Sequence, residues 1–187
     1  VMHSCAVLTD KTVKCWGENT DGQLGDGTTT SSSTPVSVSG ISTAVSIALG
    51  EDHSCAVLTD RAIKCWGRAG LLTMSGALGD GSTSDSSTPV LVSGITTATS
   101  IALGEGHSCA LLTDGTVKCW GANGSGQLGD GIDENNGYHT SIPASVYGIT
   151  TATSIALGDR HSCAVLTDKS VKCWGDNSDG RLGDGST

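Results

Sequence analysis

The stretch that decides the fold is His3-Ser4-Cys5-Ala6-Val7-Leu8-Thr9-Asp10-Lys11-Thr12-Val13-Lys14-Cys15-Trp16-Gly17. Near-copies occupy residues 53–67, 107–121 and 161–175. In each, two short β-prone runs flank Thr-Asp-X, and X is Gly115 in the third copy. Glycine at the third place of such a loop predicts a type I turn that ends in a left-handed residue, joining two antiparallel strands. Lys11, Arg61 and Lys169 stand at the same place and carry the cost of a positive φ there.

A three-residue loop over 9–11 sets Leu8 opposite Thr12, Val7 opposite Val13 and Cys5 opposite Cys15. The eight cysteines are always ten apart: Cys5/Cys15, Cys55/Cys65, Cys109/Cys119 and Cys163/Cys173. Opposed residues of a non-hydrogen-bonded pair bring their Cβ atoms within bridging distance. Four hairpins in the same register therefore predict four disulfides, each contributing roughly 3 kcal/mol in the chain-entropy model, and an oxidising compartment. The competing reading is a metal, with His3, Cys5 and Cys15 as three ligands per unit. A structural zinc site wants four, so no metal site is expected. No Cys-x-x-Cys spacing exists for redox catalysis.

Outward from the hairpin the repeat continues. Leu-Gly-Asp-Gly starts at Leu24, Leu78, Leu128 and Leu182; a Ser/Thr-rich loop and Pro35, Pro89 or Pro143 follow. Each Pro precedes the next repeat histidine by 18 residues. First cysteines are spaced 50, 54 and 54 residues apart, the difference lying in two inserts around 71–74 and 133–136. The unit reads as four short strands at 35–39, 44–49, 54–58 and 63–66, with Val45, Ile47 and Leu49 on one face and Ala44, Ser46 and Ala48 on the other. Small residues on a strand face let neighbouring sheets approach. Four strands per roughly 50 residues make an all-β fold of β-propeller-type blades. The expected organisation is one repeat domain over 1–187, with hairpins at 3–17, 53–67, 107–121 and 161–175 and connections at 18–52, 68–106, 122–160 and 176–187.

Composition agrees. The chain has 187 residues, 27 of them Gly, no Phe and 3% aromatics, so the core relies on Val, Ile, Leu and Ala with one Trp per repeat. A net charge of −9 argues against nucleic acid and anionic membranes as partners. No run approaches the roughly 18 apolar residues of a membrane span, so no membrane insertion is expected. Both ends fall inside a repeat, which reads as an internal piece of a longer protein.

No residue set calls for catalysis. His3, His53, His107 and His161 recur identically, which suits a structural hydrogen bond to a neighbouring loop better than an active site. His139 stands alone in a loop. The run Asn19 to Gly27 resembles a calcium loop only loosely and lacks the acidic register; turn chemistry accounts for it, with calcium as the alternative. Trp16, Trp66, Trp120 and Trp174 read as blade packing, with sugar stacking as the alternative. Asn123-Gly124-Ser125 is a formal glycosylation sequon. Leu71, Leu72 and Met74 in one insert, and Ile132 and Tyr138 at the other, are candidate partner-binding residues, because inserts collect in exposed loops.

Gly-Gln-Leu-Gly, a Gly shortly before His, Leu-Thr-Asp-Gly and a terminal Trp-Gly resemble the repeat of the regulator of chromosome condensation family, in its exported bacterial branch with paired cysteines. The resemblance covers essentially the whole chain and implies seven-bladed propellers. Seven blades need about 350 residues at roughly 50 per repeat, so four hairpins imply a partial propeller or an open array. Founding members exchange guanine nucleotide on a small GTPase and touch chromatin; a secreted member is an inhibitor that uses one propeller face. With an acidic surface and predicted disulfides, the reading is a non-enzymatic extracellular or cell-surface structural and interaction module, without cofactors. Its partners are a protein, a further copy through the repeat ends in a filament, or a glycan. A secreted propeller binding through its variable loops is the first alternative, and nucleotide exchange the second.

Overall fold

In the computed structural model, residues 2–70, 76–132 and 139–187 are described. They form fourteen strands and, among the described residues, no helix. The first sheet holds β1 (His3–Val7), β2 (Val13–Gly17) and β3 (Ser32–Ser37). The second holds β4 (Ala44–Leu49), β5 (His53–Leu58), β6 (Ile63–Gly67) and β7 (Ser86–Leu91). The third holds β8 (Ala98–Leu103), β9 (His107–Leu112), β10 (Val117–Ala122) and β11 (His139–Ser145), and the fourth β12 (Ala152–Leu157), β13 (His161–Leu166) and β14 (Val171–Gly175). Every pairing is antiparallel between sequence neighbours. The four sheets are the blades of a partial propeller: the first and last do not pair with each other.

The hairpins take their register from the turn. Lys11 N–H donates to the Leu8 carbonyl at 2.9 Å and Leu8 N–H to the Thr12 carbonyl at 2.9 Å, so Val7 meets Val13 and Cys5 meets Cys15. Lys11, Arg61 and Lys169 adopt φ of 65, 66 and 72°, and Gly115 one of 79°. An Asx turn props each loop: Thr12 N–H and its hydroxyl donate to Asp10 Oδ1 at 3.0 and 2.6 Å.

Two expectations about the rest of the unit are corrected. The Pro-bearing strand does not share a sheet with the hairpin that follows it. It starts earlier, at Ser32, and β3 pairs with β2 of the preceding hairpin, Val36 opposite Cys15. Val38 N–H then donates to the Val13 carbonyl at 2.9 Å, after which residues 39–43 cross to the next sheet. A repeat's sequence fixes its length but not its starting point, so the blade boundary falls after the Pro strand. The second correction concerns β4, where a bulge between Ala44 and Ser46 breaks the alternation. Ala44 is buried and Val45 is 53% exposed, so Val45 does not share a face with Ile47 and Leu49.

The core lies between consecutive sheets. Val13, Cys15 and Leu24 of the first unit pack with Ala56, Leu58 and Trp66 of the second. The same arrangement joins Ile63, Leu78 and Val92 to Ala110, Leu112 and Trp120, and Leu128 and Val146 to Ala164 and Leu166. Alanines at the contacts permit the close approach, and the tryptophans supply the bulk. A tryptophan buries roughly 150–250 Å², worth about 4–6 kcal/mol before entropic costs.

Candidate functional site

Each blade has a turn side, where the hairpin loops lie, and a loop side, where Gly17 and its equivalents lead into the Leu-Gly-Asp-Gly connections. Disulfides join Cys5 to Cys15, Cys55 to Cys65, Cys109 to Cys119 and Cys163 to Cys173 across each hairpin. The two central bridges are fully buried. Reducing agents reach them only when the blades separate.

On the loop side, each unit is locked to the next by one backbone carbonyl. Trp66 Nε1–H donates to the Gln23 carbonyl at 2.9 Å, and the Ser54 hydroxyl donates to the same oxygen at 3.0 Å. With that hydroxyl proton engaged, the 2.8 Å contact between His3 Nε2 and Ser54 Oγ must be donated by the ring. His3 therefore carries a proton on Nε2, and burial disfavours the charged ring. The node repeats as His53–Ser108 with the Ala77 carbonyl and Trp120, and as His107–Ser162 with the Gln127 carbonyl and Trp174. Gly25, Gly79 and Gly129 take positive φ beneath the indoles, where a Cβ would lie 2.6–2.7 Å from Nε1. Burial pulls the pKa of His3 and His53 down to about 4 and that of His107 to about 3. The histidines are thus structural, but their partner is a strand serine of the next blade, not a loop. Sequence reasoning missed Ser54, Ser108 and Ser162, although serine follows the repeat histidine in all four copies.

The loops that present this carbonyl are held from inside. Leu24 N–H donates to Asn19 Oδ1 at 2.9 Å, and Asn19 Nδ2 donates to the carbonyls of Thr28 and Thr30, each at 3.1 Å. Asp26 Oδ1 accepts from Thr28 N–H at 2.9 Å and from its hydroxyl at 2.8 Å. These bonds are turn chemistry. Among the described residues, no group of three or more His, Cys, Asp or Glu is placed to hold a metal. Asn123 is 1% exposed with both ends of its amide engaged, accepting from Leu128 N–H and donating to Asp130; the sequon is closed to modification in the folded chain. Trp66 and Trp120 are fully buried and offer no ring to a sugar.

The loop side also carries a cleft of about 690 Å³ formed by three units. Glu51, Glu105 and Asp159 follow β4, β8 and β12 into it, beside Arg160 and Arg181, and Arg160 pairs with Glu105 at 3.2 Å. Of the candidate partner-binding residues, Ile132 is 48% exposed and lines a separate cavity of about 600 Å³ with Asp130, Tyr147 and Lys172. Leu71, Leu72, Met74 and Tyr138 lie outside the described residues. His139 opens β11 opposite Ala122.

The family model described as "Regulator of chromosome condensation (RCC1) repeat" matches residues 12–57, 65–111 and 114–165, and a second model of the same description matches 98–127 and 152–181. The ultraviolet-B receptor UVR8 of Arabidopsis thaliana is 34% identical over 97% of this chain and 41% of its own length. The human E3 ubiquitin-protein ligase HERC2 is 33% identical over 60% of this chain and 2% of its own length. Among solved structures, Prp20p of Saccharomyces cerevisiae superposes with a TM-score of 0.82 at 24% identity, covering 99% of this chain and 46% of that one. Human WBSCR16 superposes with 0.81 at 26%, covering 98% and 48%. The chain spans less than half the length of these relatives.

Proposed function

This chain belongs to the regulator of chromosome condensation (RCC1) repeat family, and from that premise we propose that it is a non-enzymatic interaction module of an exported protein, binding a protein partner through its loop side. The observation that carries the compartment is the set of four disulfides, one per hairpin, which persist in oxidising surroundings. Protein binding has a precedent in the family: yeast RCC1 (Prp20), solved bound to Kap60, is 26% identical. The loop side suits a partner because the length variation and the cleft both fall there. Ligase activity is not carried over from HERC2, of which this chain matches 2%.

Two measurements test the reading. Alkylating the natively expressed protein without reductant should leave all eight cysteines unmodified by mass; labelled thiols in the native state count against export. Deleting residues 71–74 and 133–136 together should abolish capture of the protein partner while leaving the melting profile close to wild type. Undiminished capture would remove the loops from the interface.

A further inference from the structure

The net charge of −9 conceals a strong separation. Seven of the ten Lys and Arg residues stand on the turn side, with four of the nineteen carboxylates. The other three cations are arginines in the connections, which hold thirteen of the described carboxylates; of these, Asp130 lines one cavity with Lys172. The turn halves of the hairpins therefore sum to plus three charges and the connections to minus ten among the described residues. Strands of five or six residues separate the two by roughly 17–20 Å. The Debye length at physiological salt is about 8 Å, so an anion at the turn tips is screened from Glu51, Glu105 and Asp159 at the far strand ends.

The cations have a repeating arrangement. Lys14, Lys64, Lys118 and Lys172 occupy one position in β2, β6, β10 and β14. Lys64 Nζ reaches the Gly40 carbonyl on the turn side at 3.3 Å, and the turn carboxylates Asp10, Asp114 and Asp168 are held below the usual carboxylate range first by the Thr or Ser two residues on and last by Lys14, Lys118 and Lys172. Those carboxylates are already engaged by their own turns, each accepting from the Thr or Ser two residues on. The tips add Lys11, Arg61 and Lys169, all exposed and all in the left-handed region. That conformation is unfavourable for an L-residue, and glycine, as at Gly115, escapes the cost. Three units thus carry a cation at the one turn position where it is locally unfavourable, and such an outlier points to a use for the charge.

We propose that the turn side binds an anionic polysaccharide, a chain whose repeating carboxylate, sulfate or phosphate groups meet one lysine row and one set of tip cations per blade. The assignment rests on the preceding reading only for the compartment, where such polymers are abundant and nucleic acid is not.

The experiment uses the full chain and a size-defined heparin fragment as probe, with affinity read by calorimetry at two salt concentrations. Tight, salt-sensitive binding is expected, and none to neutral dextran. The decisive variant is the triple Lys11→Gly, Arg61→Gly, Lys169→Gly. It should fold at least as well as wild type, since the backbone strain is relieved, yet bind about a hundredfold more weakly, at about fivefold per cation. Lys14→Ala with Lys118→Ala should weaken binding further, and Arg160→Ala on the loop side should not. Unchanged affinity in the triple variant overturns the proposal. So does equal or stronger binding to single-stranded DNA of the same charge, or to vesicles containing phosphatidylserine. Thiols found free in the native protein would instead remove the compartment argument alone, with polysaccharide binding still measurable.

Discussion

The turn side and the loop side of this molecule reach order by opposite routes. Every hairpin has the same length, the same three-residue turn and a covalent bridge five residues from its tip. The connections on the loop side vary in length and are held by side-chain hydrogen bonds, and the second unit uses a different set. There Ala69 stands where the other units have Asn19, Asn123 and Asn177. Its N–H donates to Asp85 at 2.8 Å, and Ala77 N–H donates to the Ala69 carbonyl at 2.6 Å. Despite the change, the Ala77 carbonyl receives Ser108 and Trp120 at 3.0 and 2.9 Å, as Gln23 receives its pair. The loop is free to change so long as one carbonyl arrives in one place. Rigidity on the turn side delivers the serine and tryptophan; the loop need only deliver the acceptor.

Acid should break this arrangement most broadly, because it acts on three nodes together. His3, His53 and His107 have folded-state pKa values of about 4, 4 and 3, against roughly 6.5 unfolded. Below pH 6.5 the unfolded rings take protons that the folded rings refuse, so stability falls with pH until the folded values are passed. Thermal unfolding between pH 7 and 4 should show a steep decline of the midpoint. A flat profile would mean that the rings are not neutral donors.

Next in size is the tryptophan. Trp66→Ala should cost about 3–5 kcal/mol through the cavity it leaves, whereas Trp16→Ala, at a half-buried site, should cost clearly less in denaturant titrations. Equal costs would detach the indole from the node. Breaking one bridge comes third: Cys55→Ala with Cys65→Ala should cost about 2–4 kcal/mol, read as a shift of the urea midpoint.

The hairpins were almost fully legible because their register follows from local arithmetic: ten residues between cysteines and a glycine at the third turn place determine who faces whom. The blade boundary was not legible, since β3 could pair forward or backward and only its long-range pairing with β2, extended by the bond from Val38 to Val13, decides it. Val45 was misplaced because a bulge costs one residue and leaves no composition signal. The node was half visible. Identical His, Ser and Trp in four copies marked a structural part, but its acceptor is a backbone oxygen, to which Gln23, Ala77 and Gln127 contribute equally, so no side-chain pattern could reveal it. Charge was legible only as a sum; its division between two sides needed the topology that sends turns one way and connections the other.

The smallest effect tests the loop side directly. Asn19 and Asn177 make the same bond to the leucine five residues on, at 2.9 and 3.0 Å. They differ in surroundings: Asn19 is fully buried and Asn177 half-buried. Replacing Asn19 with alanine leaves the Leu24 N–H and the Thr28 and Thr30 carbonyls without their partner, at a site where water does not reach the amide. Leaving buried groups unpaired costs about 1–3 kcal/mol. At Asn177 water can substitute, and the same replacement should cost a few tenths of that range. Asn19→Ala should also raise hydrogen exchange at Leu24 and loosen the Gln23 carbonyl, visible as faster exchange of the Trp66 indole proton. The second unit supplies the control: it already has alanine, but there Asp85 holds Ala69. Ser31 at the same position already accepts the Asn19 N–H at 3.1 Å, so Asn19→Ala keeps that bond and loses only those of the side chain. If the two asparagine replacements cost the same, burial is not what gives these loops their hold, and the comparison between a rigid turn side and a side-chain-held loop side loses its basis.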